Sequence, residues 1–452
     1  MKDNKSSELV SRLDRLPFSK WHKNFLVICF LGVMFDAMDF ALFGAALPAV
    51  AKEFGLGPAE AGLLATIGLI GAFAGALFWG TISDYIGRRT AFSATIGIFA
   101  VFSGLVAASW NVVSLSVFRF ISNFGLGGEV PVTSTLVSEY SPGKLRGRMT
   151  GLMLMGFPLG LVFAAGLSLL IIPNFGWRVL FLIGVVPALL LLFVRRHMPE
   201  SARFLLSKGR VKEAESTVEG VEEKVLGRSL TAEEINALPI SPVETGENNK
   251  ITVAELLSSG RRSRTVLLWI VSFGFMWASN GIMFMLPTIL LQRGVPLTQA
   301  LTFMLIQAIA ACFGYIAGSF FIDRFGRRIV LFLFFFIGAF CHWWFAEASG
   351  TWHYFAAAAV GFVNPSVFGL TGIYVGELHP THLRATAVGW FYGVGRIASF
   401  LVPAVVGYML AYDWGDYVLH TFALSYLIAA IALWFVGVET KGRSLEEINK
   451  AV

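Results

Sequence analysis

Asp84-Tyr85-Ile86-Gly87-Arg88-Arg89 recurs later in the chain as Asp323-Arg324-Phe325-Gly326-Arg327-Arg328, an offset of 239 residues. Three further matches keep almost that distance. The stretch Glu139-Tyr-Ser-Pro-Gly-Lys-Leu-Arg146 answers to Glu377-Leu-His-Pro-Thr-His-Leu-Arg384 at 238, while Leu47-Pro48 answers to Leu286-Pro287 and Glu200 to Glu439 at 239. Self-similarity at one fixed offset marks a repeated structural unit. The chain therefore reads as two copies of one unit in parallel orientation.

What that unit is follows from composition. Of 452 residues, 56% are hydrophobic and 14% charged, too much apolar surface for a soluble chain to hide behind so few charges. Apolar runs of about 20 residues or more, long enough to cross a bilayer core as helices, occur twelve times. They lie near 23 to 50, 60 to 83, 90 to 110, 112 to 138, 149 to 172 and 177 to 196, then 264 to 292, 298 to 321, 329 to 348, 352 to 376, 385 to 412 and 417 to 438. Strands of a membrane β-barrel would be about ten residues long with strict alternation, and that pattern does not occur. The expected fold is thus an all-α polytopic membrane protein, with twelve transmembrane helices in two pseudo-symmetric six-helix halves. The halves are residues 1–196 and 264–452, joined by a polar cytoplasmic linker over 197–263. Within the linker, Lys208-Gly-Arg-Val-Lys-Glu-Ala-Glu and Thr231-Ala-Glu-Glu-Ile-Asn read as short amphipathic helices, and Pro239 to Lys250 as the loosest part.

Charge sets the orientation. The turns after even-numbered spans carry Arg88 and Arg89, Lys144, Arg146 and Arg148, Arg324, Arg327 and Arg328, and Arg384, whereas the opposite turns carry few basic residues. The positive-inside rule then places both termini in the cytoplasm. The first apolar run follows a basic start and is too long for a cleaved signal segment, so the expected location is the cell membrane, for a bacterium the inner one. The formal charge of +6 sits mostly in loops, which suits anionic lipid rather than nucleic acid. Cys29, Cys312 and Cys341 lie inside apolar runs without paired spacing, so neither a disulfide framework nor a metal site is expected. No nucleophile-base set, metal cluster or phosphate loop is legible, and neither an enzyme nor a cofactor is expected.

The duplicated Asp-x-x-Gly-Arg-Arg turn and the Glu-to-Arg pair spaced by seven resemble the major facilitator superfamily over nearly the whole chain. The exit Pro199-Glu200-Ser201-Ala202-Arg203 and the ending Val438-Glu439-Thr440-Lys441-Gly442 resemble its sugar-porter-like branch. Phe18-Ser-Lys-Trp-His22, Phe35-Asp36-Ala-Met-Asp39 and Gly127-Gly-Glu-Val-Pro131 are similar to the niacin transporters and aromatic acid:proton symporters. The resemblance implies a site near the bilayer midplane, between halves that open alternately to either side.

Candidate residues follow from the cost of charge in hydrocarbon. Asp36 and Asp39 are three residues apart on the first span, hence on one helix face, and about 20 Å above its cytoplasmic start. Arg119 and Glu129 lie on the fourth span, about 15 Å apart along it. Alternating contact of Arg119 with a first-span carboxylate would switch its affinity for a proton. The plainer alternative is a static buried ion pair. Four intramembrane charges on two helices exceed what register requires. The second half has Phe275 and Ala278 at the positions of the two aspartates, but carries Arg396 on span eleven. A lone Arg there suits a carboxylate substrate, which it can bind with two hydrogen bonds; the alternative is that it caps carbonyls near Gly393-Val-Gly395. Trp277, Asn280, Gln307, Tyr315 and Tyr392 are candidates for an aromatic-tolerant pocket with a few polar groups.

The resemblance also implies a cytoplasmic gate made of Asp84, Arg88, Arg89, Glu139, Arg146 and Glu200 in the first half, and Asp323, Arg327, Arg328, Glu377 and Arg384 in the second. Solvated surface charge is the alternative there. The expected function is proton-coupled import of a small aromatic or heteroaromatic monocarboxylate such as nicotinate, by a monomer whose partners are that organic anion, protons and the lipid bilayer. A sugar or polyol carrier, or a non-transporting membrane receptor on the same fold, are the other readings.

Overall fold

The computed structural model describes residues 2–231, 234–235, 253–258, 261–436 and 438–441. Among them every regular element is helical. Ten stretches are long and apolar enough to cross a membrane as helices, and spans four and six supply the other two in broken form. Span one is Lys20–Phe54, span two Pro58–Ile86, span three Arg88–Ala107, and span four Val112–Leu126 followed by Glu129–Tyr140. Span five is Arg146–Leu154 with Gly156–Phe175, and span six is Trp177–Ile183 with Ala188–His197. The second half repeats the series as span seven (Arg262–Gln292), span eight (Leu297–Phe325), span nine (Arg327–Glu347), span ten (Thr351–Val363 with Ser366–Glu377), span eleven (Thr381–Ala411) and span twelve (Gly415–Val436).

The interruptions have local causes. Span four breaks at Gly127-Gly128, span six just before Pro187 and span ten at Asn364-Pro365, where proline removes a donor or glycine weakens the helix. Around the span, Lys2–Asp14 forms an N-terminal helix, and the linker contributes Ala202–Ser207 and Val211–Leu226. The helix expected to start at Lys208 starts instead at Val211 and runs on to Leu226, because the chain turns at Gly209, whose φ is 73°. The second linker helix expected from Thr231 falls mostly outside the described residues, as does Pro239 to Lys250.

By packing, the chain divides into two compact units. The first comprises Met1–Ala37, Ile70–Gly160 and Phe181–Asn248. Its core joins Leu9 and Leu13 of the N-terminal helix, and Leu16 just after it, to Phe25 and Val33 of span one, and to Ala214, Val218 and Val221 of the linker helix. Arg12 donates to both carboxylate oxygens of Glu222 at 2.7 Å, a fully buried fork that fixes the N-terminal helix on the linker. Burial opposes the Arg12 charge, and the Glu222 hydrogen bonds outweigh it, holding that guanidinium above its ordinary range. Spans two and four meet backbone to backbone, because a Cβ at Gly71 or Gly75 would strike the Phe120 or Phe124 carbonyl.

The second unit comprises Met38–Leu69, Leu161–Leu180 and Asn249–Val452. Within it, the ends of spans one and two remote from the Gly-Arg-Arg turns pack on spans seven and eleven. Gly44 lies on the Met283 carbonyl and Gly62 on that of Pro403. Phe40 meets Phe284 edge-on at 6.0 Å, and the Thr66 hydroxyl donates to the Phe400 carbonyl at 2.8 Å. At this same end Glu53 accepts from the Trp177 indole and the Arg178 guanidinium, both at 2.6 Å. In the second half the arrangement recurs with its polarity reversed, since Arg293 holds Asp416 through the main-chain carbonyl at 2.8 Å.

Candidate functional site

The acids of span one sit where hydrocarbon would otherwise be. Asp36 is 5% exposed and Asp39 1%. Glu129 begins the second piece of span four and is equally buried, with its carboxyl against span one. A Cβ at Gly32 would collide with Glu129 Oε1 and crowd the Phe92 ring of span three. Gly32 precedes Asp36 by one helical turn, so both carboxyls belong to one seam and feel each other's charge. Arg119 is completely buried, with its guanidinium 5.6 Å from the centroid of Phe181. Ser122 and Asn123 continue the buried polar face of span four toward Glu129.

In the second half, two tyrosines converge on span ten. A Cβ at Gly369 would lie 3.4 Å from the Tyr315 hydroxyl, and the Tyr392 hydroxyl reaches past Gly372 to donate to the Phe368 carbonyl at 2.9 Å. Phe368 lies between Tyr392, tilted to it at 5.2 Å, and Phe275, edge-on to it at 5.9 Å. The position matching Asp36 in the first half thus becomes part of an aromatic wall. Gln307 is buried on span eight, and its Nε2 has no hydrogen-bond partner among the described residues. Asn280 donates to the Ser399 hydroxyl at 3.0 Å, joining span seven to span eleven one turn from Arg396. Arg396 itself is half-buried on a span that runs unbroken through Gly393 and Gly395. Trp277 is not brought to this group: its indole donates to Thr421 of span twelve at 3.4 Å.

At the Gly-Arg-Arg turns the two halves build the same cradle. Gly87 and Gly326 have φ of 100° and 101°, and each leaves room for a carboxylate that a Cβ would strike. Glu200 accepts from the Arg88 and Arg89 main-chain N–H groups at 2.7 and 3.1 Å, and Glu439 from those of Arg327 and Arg328 at 2.8 and 3.1 Å. Each carboxylate caps the positive N-terminal end of a membrane helix. Burial raises Glu439, but main-chain donors from Lys441, Arg327, Arg328 and Thr440 prevail and hold it below the usual carboxylate range.

Around these caps Glu139 pairs with Arg88 and accepts from the Ser201 hydroxyl. In the second half Glu377 pairs with Arg327 at 3.3 Å and accepts from Thr440 at 2.5 Å. Arg146 does not bind Glu139; it holds Asp14 of the N-terminal helix at 2.5 Å. Arg384 donates to the Gly376 carbonyl at 2.9 Å. Asp84 is exposed, 3.7 Å from Arg88, and the side chain of Asp323 lies outside what is described.

The sequence pattern of the Major Facilitator Superfamily matches residues 29–403 and again 319–451. The chain belongs to that superfamily. It is a multi-pass membrane transporter and not an enzyme. It is 34% identical to the niacin transporter NiaP of Acinetobacter baylyi over 98% of this chain and 100% of that protein. It is 29% identical to the 4-hydroxybenzoate transporter PcaK of Pseudomonas aeruginosa over 93% of this chain and 94% of that one. Among solved structures, the inward open xylose transporter XylE from E. coli shares the fold with TM-score 0.77, at 18% identity over 95% of this chain and 99% of that one.

Within this superfamily fold, several partners escaped the reading of the sequence. Ser201 and Thr440 follow the matched Glu200 and Glu439 at the same 239-residue offset, a signal that was present. Asp14 and Glu222 carry no such signal, because their partners are set only by how the cytoplasmic helices dock. Phe368 could have been found from its place one turn after the Asn364-Pro365 break.

Proposed function

We propose that this transporter imports a small aromatic or heteroaromatic monocarboxylate, nicotinate first among them, and that protons entering down their gradient drive it. The observation that carries this reading is the asymmetry between halves: buried acids and Arg119 in the first, and an aromatic wall with Arg396 and no matching acid in the second. Asp36, Asp39, Arg119 and Glu129 serve proton coupling, with Arg119 competing with the proton for a first-span carboxylate. Arg396 binds the substrate carboxylate through its two-pronged donor face, and Tyr315, Tyr392, Gln307 and Asn280 line the pocket. The names of the relatives, a niacin and a hydroxybenzoate transporter, support this substrate class.

The halves 1–196 and 264–452 move against each other about this site, with linker 197–263 between them. The cradle residues latch the cytoplasmic side when the outer side is open. In the arrangement described here, Glu139 pairs with Arg88 and Glu377 with Arg327, each within its own half, and at the opposite end spans one and two pack on spans seven and eleven. Both termini face the cytoplasm of a bacterial inner membrane, and the working unit is a monomer.

The test is uptake into proteoliposomes of nicotinate, benzoate, a hydroxybenzoate, shikimate and glucose, with and without an inward proton gradient. Gradient-driven accumulation of the aromatic acids is expected, and uptake of glucose alone would overturn the reading. Arg396→Ala should weaken carboxylates by about 1.5–3 kcal/mol, the worth of a charged hydrogen bond, and their amides far less. Equal loss for both would remove Arg396 from carboxylate binding.

A further inference from the structure

Spans one and four hold more buried polar groups than a single switching ion pair uses. Their chains run antiparallel, so rise along each helix sets the level of the residues opposite. Glu129 lies level with Gly32; Asp36 is roughly 6 Å higher, and Asn123 and Ser122 are a little above it. Glu129 Oε1, Asn123 Oδ1 and Ser122 Oγ are all buried and have no hydrogen-bond partner among the described residues. Such atoms are unusual in a native interior, ordered water is their ordinary partner, and of the three it is Glu129 Oε1 that lies against Gly32 of span one. A carboxylate held at this depth without a cation is costly, which favours a group that takes up a proton.

We propose that Glu129 is the inner station of a proton relay, joined to Asp36 by water held on its unpartnered Oε1. The proposal rests on the proton-coupled reading above and gives it a direction. Asp36 releases its proton to the bridging water, the water passes one to the Glu129 carboxylate, and Glu129 gives its proton to cytoplasmic water and returns to the carboxylate. Each hop moves one proton and breaks no other bond. Gly32 is part of the device, because any side chain there would displace the Glu129 carboxyl. The surroundings are otherwise inert. Span one faces Glu129 with Asp36 and Cys29 as its titratable groups, span two presents Trp79 beside Gly128, and span three presents Phe92. None of these described neighbours is a cation.

The experiment uses the full chain in proteoliposomes, with nicotinate and benzoate as probes and the outer and inner pH varied separately. Glu129→Gln should lower gradient-driven uptake about tenfold more than it lowers energy-independent exchange, in keeping with the loss of a proton-transfer group. It should also remove the dependence of uptake on inner pH while dependence on outer pH survives. Glu129→Asp should restore part of the inner-pH dependence, and the infrared C=O band of a protonated carboxyl should weaken in Glu129→Gln. Equal losses of driven uptake and exchange, or an unchanged response to inner pH, would overturn the relay. A wild-type protein indifferent to both pH values would overturn coupled import itself, and the relay with it.

Discussion

Asp36 and Asp39 occupy nearly the same depth in span one, yet their surroundings differ. Asp36 shares a seam with Glu129 and Gly32, whereas Asp39 stands one turn nearer the end of the bundle where spans one and seven meet at Gly44. If Asp39 is the carboxylate for which Arg119 and the proton compete, Asp39→Asn should abolish accumulation driven by a pH gradient and leave a measurable part of counterflow exchange. Unchanged driven uptake by that variant would sink the role. That these residues matter was legible from their charge alone. That Glu129 faces Gly32, and that Tyr315 and Tyr392 share the glycine face of span ten while Trp277 turns to span twelve, was not. Side-chain direction on an apolar helix depends on its neighbours, and a helix apolar on all sides carries little periodicity to read.

At the scale of the element, the helices were legible by length and apolarity, and the broken ones only as continuous runs. Span four falls short as a single apolar helix because Gly127-Gly128 interrupts it between two charged residues, and that break delivers Glu129 to span one. The repeated cradles are elements as well, each a left-handed glycine with a carboxylate on the following two main-chain N–H groups. Replacing that carboxylate by an amide should cost about 0.5–2 kcal/mol at each cap. Glu200→Gln and Glu439→Gln should therefore each lower the unfolding temperature in detergent, and the double variant by about the sum. The pH dependence has a definite sign. Because Glu439 is held below its ordinary range, its contribution is complete at neutral pH and is lost only as pH falls below about 4.

At the largest scale, close backbone contacts gather at the end remote from the cradles. Gly62 on the Pro403 carbonyl and Gly407 against Pro58 allow spans two and eleven to approach backbone to backbone. Gly62→Leu should force these ends apart. A cysteine introduced at Thr66 should then react faster with a membrane-impermeant thiol reagent, and substrate uptake should fall; an unchanged labelling rate would show that this contact does not close the path. The number of spans and the class of transporter were determined by sequence, because apolar length and a fixed repeat offset are properties of the chain itself. Only the tertiary structure decided which carboxylates cap which helices, that Arg146 binds Asp14, and that Glu129 and Asp36 share a seam. Those partners lie far apart in sequence, and what brings them together is the close approach of helices at small residues, a packing fact that no local pattern encodes.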